Sequence, residues 1–161
     1  MAADPQLLQS LAQWHNAKAV ILGIGNALKG DDAAGPLVCE RLAGRVSAKV
    51  IDAGTTPENY ITPILRVAPD VLLIVDAMDF GGEPGQMRVC TPDELHRYAI
   101  STHALSLHLA IDMIRRDTKL DVCLIGIQAN RMKFGDSLSP AVRDAAAMLA
   151  DTLAELFTPA E

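Results

Sequence analysis

Two carboxylates and a histidine, Asp32, Asp76 and His103, stand next to three separate apolar or helical segments of this 161-residue chain. Asp32 follows the apolar run 19–25, Asp76 directly follows the run 71–75, and His103 opens a strongly helical segment. In open α/β sheets, ligands bind beyond the carboxyl ends of the parallel strands, so residues at these places meet at one rim. Two carboxylates and a neutral imidazole with open coordination positions suit a borderline divalent ion such as Zn²⁺ or Ni²⁺. The spacing therefore predicts a metal site at that rim.

Each of these residues also has an ordinary structural explanation. Aspartate is a favoured N-cap and complements the helix dipole in the first turn, so we expect one of Asp31 and Asp32 to cap the helix that follows. The other is then available to point into the crevice. Asp76 could form a turn at the end of its strand. His103 stands at a helix start, where the dipole disfavours imidazolium, so we expect a neutral ring, which is the form that binds a metal.

A dinucleotide site is the first alternative at this rim. Gly23 and Gly25 begin like the GxGxxG fingerprint, and Asp52 ends the next strand, where NAD enzymes keep an acid for the ribose. Leu28, however, stands where the third glycine is needed, and the acidic pair 31–32 at the following helix start would repel a pyrophosphate. The sequence therefore argues against a nucleotide site, and it contains no HExxH, GxSxG or P-loop motif.

Continuous apolar runs predict the strands that position these residues. Apolar residues that do not alternate with polar ones are typical of strands buried on both faces, as in parallel sheets. The segment 86–90 alternates instead, and only ten residues separate it from the run before, which is short for a helical crossover. We therefore predict an antiparallel edge strand there. The continuous runs are 19–25, 48–51, 71–75 and 122–127.

Helical periodicity lies between these runs and predicts a three-layer α/β/α sandwich with a mostly parallel mixed sheet of about five strands. Either Pro57 or Pro63 could open the third helix, and the sequence does not decide between them. Ser139 is the expected N-cap of the last helix, with Pro140 at its first position. The predicted helices cover 6–17, 33–43, 57–67, 102–116 and 139–156.

Length and composition are those of a single globular domain over residues 1–161, with residues 1–17 as an N-terminal helical extension anchored by Trp14. Half of the residues are hydrophobic, which excludes a disordered chain, and a net charge of −6 makes nucleic acid and anionic membranes poor partners. No apolar run approaches the ~18 residues of a membrane span, and we expect no secretory signal. The three cysteines lack CxxC spacing, so we expect buried thiols in a reducing cytoplasm.

Five short segments, taken in order, carry a resemblance to a known family. They are LGIGN (22–26) with GDDAAG (30–35), DAGTTPEN (52–59), LIVDA (73–77) with PG (84–85), STH (101–103) and LIGIQ (124–128). In this order they resemble the [NiFe]-hydrogenase maturation endopeptidases over residues 19 to about 156. The triplets Gly30-Asp31-Asp32 and Gly126-Ile127-Gln128 look most like the branch that serves the hydrogenase 3-type large subunit.

The resemblance implies an endopeptidase that removes a C-terminal extension from a hydrogenase large-subunit precursor after nickel has been inserted into that precursor. The family's metal-contacting residues fall on Asp32, Asp76 and His103. In the family they are thought to meet nickel held by the substrate's cysteines, so we expect the nickel to arrive with the precursor. Another divalent metal such as Zn²⁺ or Cd²⁺ could bind in vitro. The resemblance and the acidic surface together favour a monomer that meets its partner transiently.

Two mechanisms and one competing function stay open. Asp32 or Asp76 could activate water while nickel only positions the precursor, or the metal could polarise the carbonyl or the water directly. The competing class is a non-catalytic binding module on the same fold, such as a metallochaperone, which would bind metal without cleaving a peptide bond. Met78, Phe80 and Met132 are candidate apolar contacts with the precursor.

Overall fold

A five-stranded mixed sheet lies at the centre of the part of the chain that the structure, a computed structural model, describes. That part comprises residues 4–98 and 103–161, with side chains described throughout except at 96–98. The strands are β1 (Ala19–Gly23), β2 (Lys49–Asp52), β3 (Val71–Met78), β4 (Met87–Cys90) and β5 (Asp121–Gln128). Their spatial order is β2-β1-β3-β5-β4, and all pairs are parallel except the antiparallel pair of β4 and β5. The predicted antiparallel edge strand is therefore confirmed.

Helices cover both faces of the sheet, and the predicted three-layer α/β/α sandwich is confirmed. The α-helices in the described residues are α1 (Pro5–Leu11), α2 (Ala34–Leu42), α3 (Ile61–Val67), α4 (Pro92–Tyr98), α5 (Ala104–Asp117) and α6 (Pro140–Leu156). The first core joins α1, α2 and α6 to one face of the sheet, and the second joins α3, α4 and α5 to the other. Within these residues no helix combines the length and the apolarity that a membrane crossing requires.

The central strand β3 shows how alternation divides the two cores. All eight of its residues are buried. Val75 and Ala77 belong to the core with α2 and α6, whereas Ile74 and Met78 belong to the core with α5. Since successive side chains point to opposite faces, Asp76 lies on the face that carries α5. We predicted that Asp76 follows the strand, but β3 continues through it because β3 pairs with β5 over its whole length.

The helices differ from the prediction in two places. Pro57 opens a separate 3₁₀ helix, and Pro63 lies in the first turn of α3, so each proline occupies the start of its own short helix. Helix α4 was not predicted, because seven residues are too few to show a helical period. Ser139 and Pro140 hold the predicted N-cap and first position of α6. Ser101 and Thr102, which belong to the STH segment and to the predicted helix 102–116, lie outside the described residues.

The N-terminal extension packs on the last helix. Oδ1 of Asp4 caps α1 by accepting hydrogen bonds from the backbone N–H groups of Gln6 at 2.9 Å and Leu7 at 3.3 Å. Leu7 and Leu11 are buried in the core that contains α6. Trp14, the predicted anchor, is only half-buried at the margin of that core. The buried anchors of the extension are therefore the two leucines.

The strand order creates a topological switch point between β1 and β3, because β2 lies on one side of β1 and β3 on the other. In open α/β sheets, ligands bind in the crevice outside the carboxyl ends of the strands at such a point. Asp32 follows β1, and Asp76 lies close to the carboxyl end of β3. This edge of the sheet is called the rim below, and it is where the sequence predicted a site.

Candidate functional site

Asp32 and His103 contact each other at the rim. The Asp32 side chain is fully buried, and Nε2 of His103 lies 3.3 Å from its Oδ2 atom. The same oxygen accepts a hydrogen bond from the backbone N–H of Asn26 at 2.8 Å. The short 3₁₀ helix Gly30–Ala33 carries Asp32, and His103 directly precedes α5. The structure thus places two of the three predicted site residues in contact. Asp32 comes from the 3₁₀ helix that follows β1, and His103 comes from the start of α5.

Two glycines allow α2 to approach the strand ends and hold Asp32 there. Gly25 has a φ of +144°, and a side chain on it would overlap the backbone carbonyl of Asp32. A side chain on Gly35, in the first turn of α2, would overlap the backbone of Ile24 and the carbonyl of Val75. In the nucleotide-binding fingerprint, the third glycine allows the helix to pack closely against the strand. In this chain Gly35, within α2, allows that close packing.

Asp31, the neighbouring carboxylate, is a structural residue. It accepts hydrogen bonds of 2.7–3.0 Å from the backbone N–H groups of Asn130, Arg131 and Ser139 and from the Ser139 hydroxyl. Burial by itself would raise the pKa of Asp31, but these donors together hold it below its usual range. The prediction that Asp31 or Asp32 caps α2 is wrong, because Ala33 is the N-cap and makes no side-chain bond there. Asp31 instead ties the segment between β5 and α6 to the rim.

Asp76 is the third predicted site residue and is fully buried within β3. It stands opposite Gly126 of β5 in the strand register. Its side chain lies on the sheet face of α5, the helix that begins directly after His103. The 3₁₀ helix that carries Asp32 packs against β3. The three predicted residues therefore come from neighbouring elements at one end of the sheet.

The donor types at the rim fit a divalent ion, but the described side chains do not form a complete metal site. Carboxylate oxygens and an imidazole nitrogen are ordinary ligands for Ni²⁺ and Zn²⁺. Among the side chains that the structure describes, no three from His, Cys, Asp and Glu form a group able to hold a metal. Asp32 and His103 contact each other instead.

Gln128 holds the loop that follows β3 at the rim. Its side chain is buried, and its Oε1 atom accepts hydrogen bonds from the backbone N–H groups of Phe80 at 2.9 Å and Gly82 at 3.1 Å. Its Nε2 atom donates to Asp79 Oδ1 at 3.2 Å and to the Ala129 carbonyl at 3.0 Å. In the sequence, Gln128 stands out only as part of the LIGIQ segment that carries the family resemblance. Its position directly after the apolar run 122–127 was the signal in the sequence for this structural role.

The predicted apolar contact residues are not the exposed ones. Met78 is buried, Met132 is half-buried, and Phe80 is half-buried beside the guanidinium of Arg88 at 4.4 Å from the ring centre. The exposed large apolar side chains among the described residues are Leu28, Leu105, Leu109, Met113 and Phe134. Three of these recur every four residues on α5, so helical spacing could have identified them.

Comparison with known sequences identifies the family. The family model for HycI, hydrogenase maturation protease, matches residues 36–156. The hydrogenase 3 maturation protease of Escherichia coli (strain K12) is 38% identical over 129 residues, which cover 78% of this chain and 82% of that protein. The family and the hydrogenase 3-type branch that the sequence predicted are both confirmed.

Comparison with solved structures agrees. The crystal structure of a nickel–iron hydrogenase maturation protease, HycI from Thermococcus kodakarensis KOD1, matches with a TM-score of 0.83 at 34% identity, covering 94% of this chain and 97% of that one. The hydrogenase maturating endopeptidase HybD from E. coli matches with a TM-score of 0.68 at 25% identity, covering 81% and 87% of the two chains. By sequence and by fold, this chain belongs to the hydrogenase maturation protease family.

Proposed function

We propose that this protein is an endopeptidase that removes the C-terminal extension of a hydrogenase large-subunit precursor after nickel has been inserted into it. Membership of the hydrogenase maturation proteases supports the peptidase activity and the class of substrate. The observation that carries the site assignment is the contact of His103 with the fully buried Asp32 at the switch point of the sheet. That is where an open α/β sheet binds its ligand.

In this proposal Asp32, Asp76 and His103 contact the nickel that the precursor carries. Two carboxylates and one imidazole are suitable donors for that ion. The described side chains do not form a three-donor group by themselves, which agrees with an ion whose remaining ligands belong to the substrate. A precursor without nickel would then lack the element that engages the rim. Such a requirement would restrict cleavage to precursors that have already received their metal.

Asp32 and Asp76 are the carboxylates available to activate water. Amide hydrolysis needs an activated water and stabilisation of the developing oxyanion. The N–H of Asn26 and the ring of His103 both meet Oδ2 of Asp32, so this carboxylate has a fixed orientation at the rim. In one mechanism nickel positions the precursor while a carboxylate acts as general base. In the other, nickel polarises the carbonyl or the water, and the carboxylates orient it. Replacing Asp32 by asparagine should abolish cleavage in either case.

The test combines the purified protein with nickel-loaded and nickel-free large-subunit precursor and measures the masses of the products. We expect loss of one defined C-terminal peptide from the loaded precursor only. Asp32→Asn and His103→Ala should abolish that loss, whereas Asp144→Asn, on the exposed face of α6, should not change it. Cleavage by Asp32→Asn at the normal rate would contradict both mechanisms. A loaded precursor that is bound tightly but left intact would indicate the non-catalytic binding module instead.

The cellular setting and the assembly state are part of the proposal. All three cysteines are free and buried, which supports a reducing cytoplasm as the location. We propose that the protein acts as a monomer that meets its precursor transiently. Sedimentation of the protein with and without precursor would test this, since a stable dimer of the protein alone would contradict it.

A further inference from the structure

A groove runs along one edge of the sheet and reaches the rim. Its larger part, with a volume of about 780 Å³, lies between α2 and β2 and extends to Ala43 at the end of the helix. A smaller recess of about 310 Å³ opens at the rim between the loops that follow β1 and β2. Ala27, Pro36 and Asp52 line both parts, so the two are continuous, and together they are called the edge groove below.

The edge groove ends beside the candidate catalytic carboxylate. Asn26 lines the recess at the rim, and its backbone N–H donates the 2.8 Å hydrogen bond to Asp32. The floor of the recess is fixed by a bond from the N–H of Gly25 to the carbonyl of Gly54 at 2.8 Å, which joins the two loops. A molecule in the groove would therefore extend to within one hydrogen bond of Asp32.

One wall of the groove is an edge strand with an open side. In the described sheet, β2 pairs with β1 and with no other strand. The N–H of Ala53 donates to the carbonyl of Gly23 and so points toward β1. Because successive backbone groups of a strand point to opposite sides, those of Val50 and Asp52 point outward. Outward groups on an edge strand are a template for an extended peptide.

We propose that the C-terminal extension of the precursor binds in the edge groove as a strand antiparallel to β2. This rests on the proposed function, which places the scissile bond at the rim. β2 runs toward the rim, whereas an extension that begins at the scissile bond runs away from it, so the two are antiparallel. The nine residues of α2 are ~14 Å long, which matches about four residues of extended peptide.

The walls indicate what the groove recognises. Leu37 and Val50 give it an apolar interior, while its charged side chains have both signs, with Lys49 against Glu40 and Asp52. Mixed charge gives little preference for an acidic or a basic peptide. Recognition would therefore come from backbone hydrogen bonds to β2 and from apolar side chains at every second position of the extension.

The first test places a bulky side chain in the groove far from the rim. Ala43 and Ala12 are both exposed alanines at helix C-caps, but only Ala43 lines the groove. With nickel-loaded precursor, Ala43→Trp should raise KM about tenfold, equivalent to ~1.4 kcal/mol, and leave kcat within about twofold. Ala12→Trp should match the wild type. An unchanged KM in Ala43→Trp would overturn the proposal, whereas no cleavage by the wild type would refute the proposed function alone.

The second test does not depend on cleavage. Lys49→Cys is labelled with benzophenone maleimide, mixed with the nickel-loaded precursor and irradiated, and the cross-linked peptides are identified by mass spectrometry. Lys119→Cys, an exposed position outside the groove, is the control. We expect Lys49→Cys to cross-link to the C-terminal extension and Lys119→Cys not to. Cross-links from Lys49→Cys only to the body of the precursor would overturn the proposal.

The third test addresses the strand itself. Synthetic peptides of the extension compete with the precursor, and a single N-methyl group is moved along them one residue at a time. N-methylation removes one backbone donor, so a strand paired with β2 should lose inhibition at every second position. If inhibition fell equally at every position of the peptide, or at no position, strand pairing with β2 would be contradicted.

Discussion

Asp31 and Asp32 are adjacent, both fully buried, and predicted to respond in opposite ways to replacement by asparagine. Asp31 accepts four hydrogen bonds from the segment that leads into α6, and Asp32 contacts His103 at the rim. We expect Asp31→Asn to lose stability and keep cleavage. We expect Asp32→Asn to lose cleavage and keep stability.

The cost at Asp31 follows from its donors. A hydrogen bond to a charged acceptor is worth about 1 kcal/mol more than one between neutral groups. The bonds from Asn130 and Arg131 are partly buried, whereas the two from Ser139 are fully buried and contribute most to stability. We therefore expect Asp31→Asn to lower the free energy of unfolding by about 2–3 kcal/mol, since its amide also presents a donor where an acceptor is needed.

The cost at Asp32 is smaller, because asparagine keeps the volume and can still accept the N–H of Asn26. The substitution also removes a buried charge, whose desolvation opposes folding. We expect the free energy of unfolding of Asp32→Asn to stay within about 1 kcal/mol of the wild type or to rise. Cleavage should fall to background, since a neutral amide cannot act as general base or as an anionic ligand.

The pH dependence gives a second signature for Asp31. Its pKa is lowered in the folded state, so its stabilising contribution is complete above the unfolded value near ~3.9 and is lost as pH falls through the lower folded value. The difference in stability between the wild type and Asp31→Asn should thus be constant from pH 7 to about 5 and should shrink below about 4.

Urea unfolding followed by circular dichroism, with precursor cleavage measured on the same preparations, tests both variants. Asp144→Asn, an exposed aspartate on α6, is the matched control and should be neutral in both assays. An Asp31→Asn variant that is as stable as the wild type but inactive would contradict the role given to Asp31. Normal cleavage of the loaded precursor by Asp32→Asn would contradict the role given to Asp32.

Four further predictions concern other parts of the fold. Gln128→Ala should cost about 2–3 kcal/mol in urea unfolding and should speed hydrogen exchange at Phe80 and Gly82, whose N–H groups it holds. Leu11→Ala should cost about 2–5 kcal/mol, because Leu11 is fully buried, while cleavage by the folded protein is unchanged. Gly30 has a φ of +54°, and a side chain on it would overlap the carbonyl of Arg131, so Gly30→Ala should lower stability and cleavage together in these same assays. Burial raises the pKa of the thiols of Cys39, Cys90 and Cys123 to about 12, 11 and 12. A thiol reagent at pH 8 should therefore react with them only after the protein has been unfolded in urea, and absorbance follows that reaction.

The sheet was predictable because its signal is local. Strands buried on both faces must be apolar without interruption, and such runs can be recognised in the sequence. The end of β3 was not predictable in this way, because Asp76 interrupts the apolar run. Only the pairing with β5, about fifty residues later, extends the strand to Met78. When pairing with a distant strand determines where a strand ends, that end cannot be recognised from the residues of the strand itself.

The candidate site was likewise predictable only in part. The meeting of Asp32 and His103 was predictable, because topology brings the carboxyl ends of parallel strands and the starts of the following helices to one rim. The role of Asp31 was not, because its donor Ser139 lies 108 residues away, at the start of α6, and nothing in the sequence links the two. A capping aspartate and a loop-binding aspartate look identical in sequence.

The 3₁₀ conformation explains how two adjacent carboxylates can have separate roles. A 3₁₀ helix has three residues per turn, so neighbouring side chains point about 120° apart. Within Gly30–Ala33, Asp31 meets Ser139 at the start of α6, and Asp32 meets His103 at the start of α5. These two helices lie on opposite faces of the sheet. The bonds of Asp31 therefore hold this turn to the start of α6 on one face, while Asp32 meets His103 on the other.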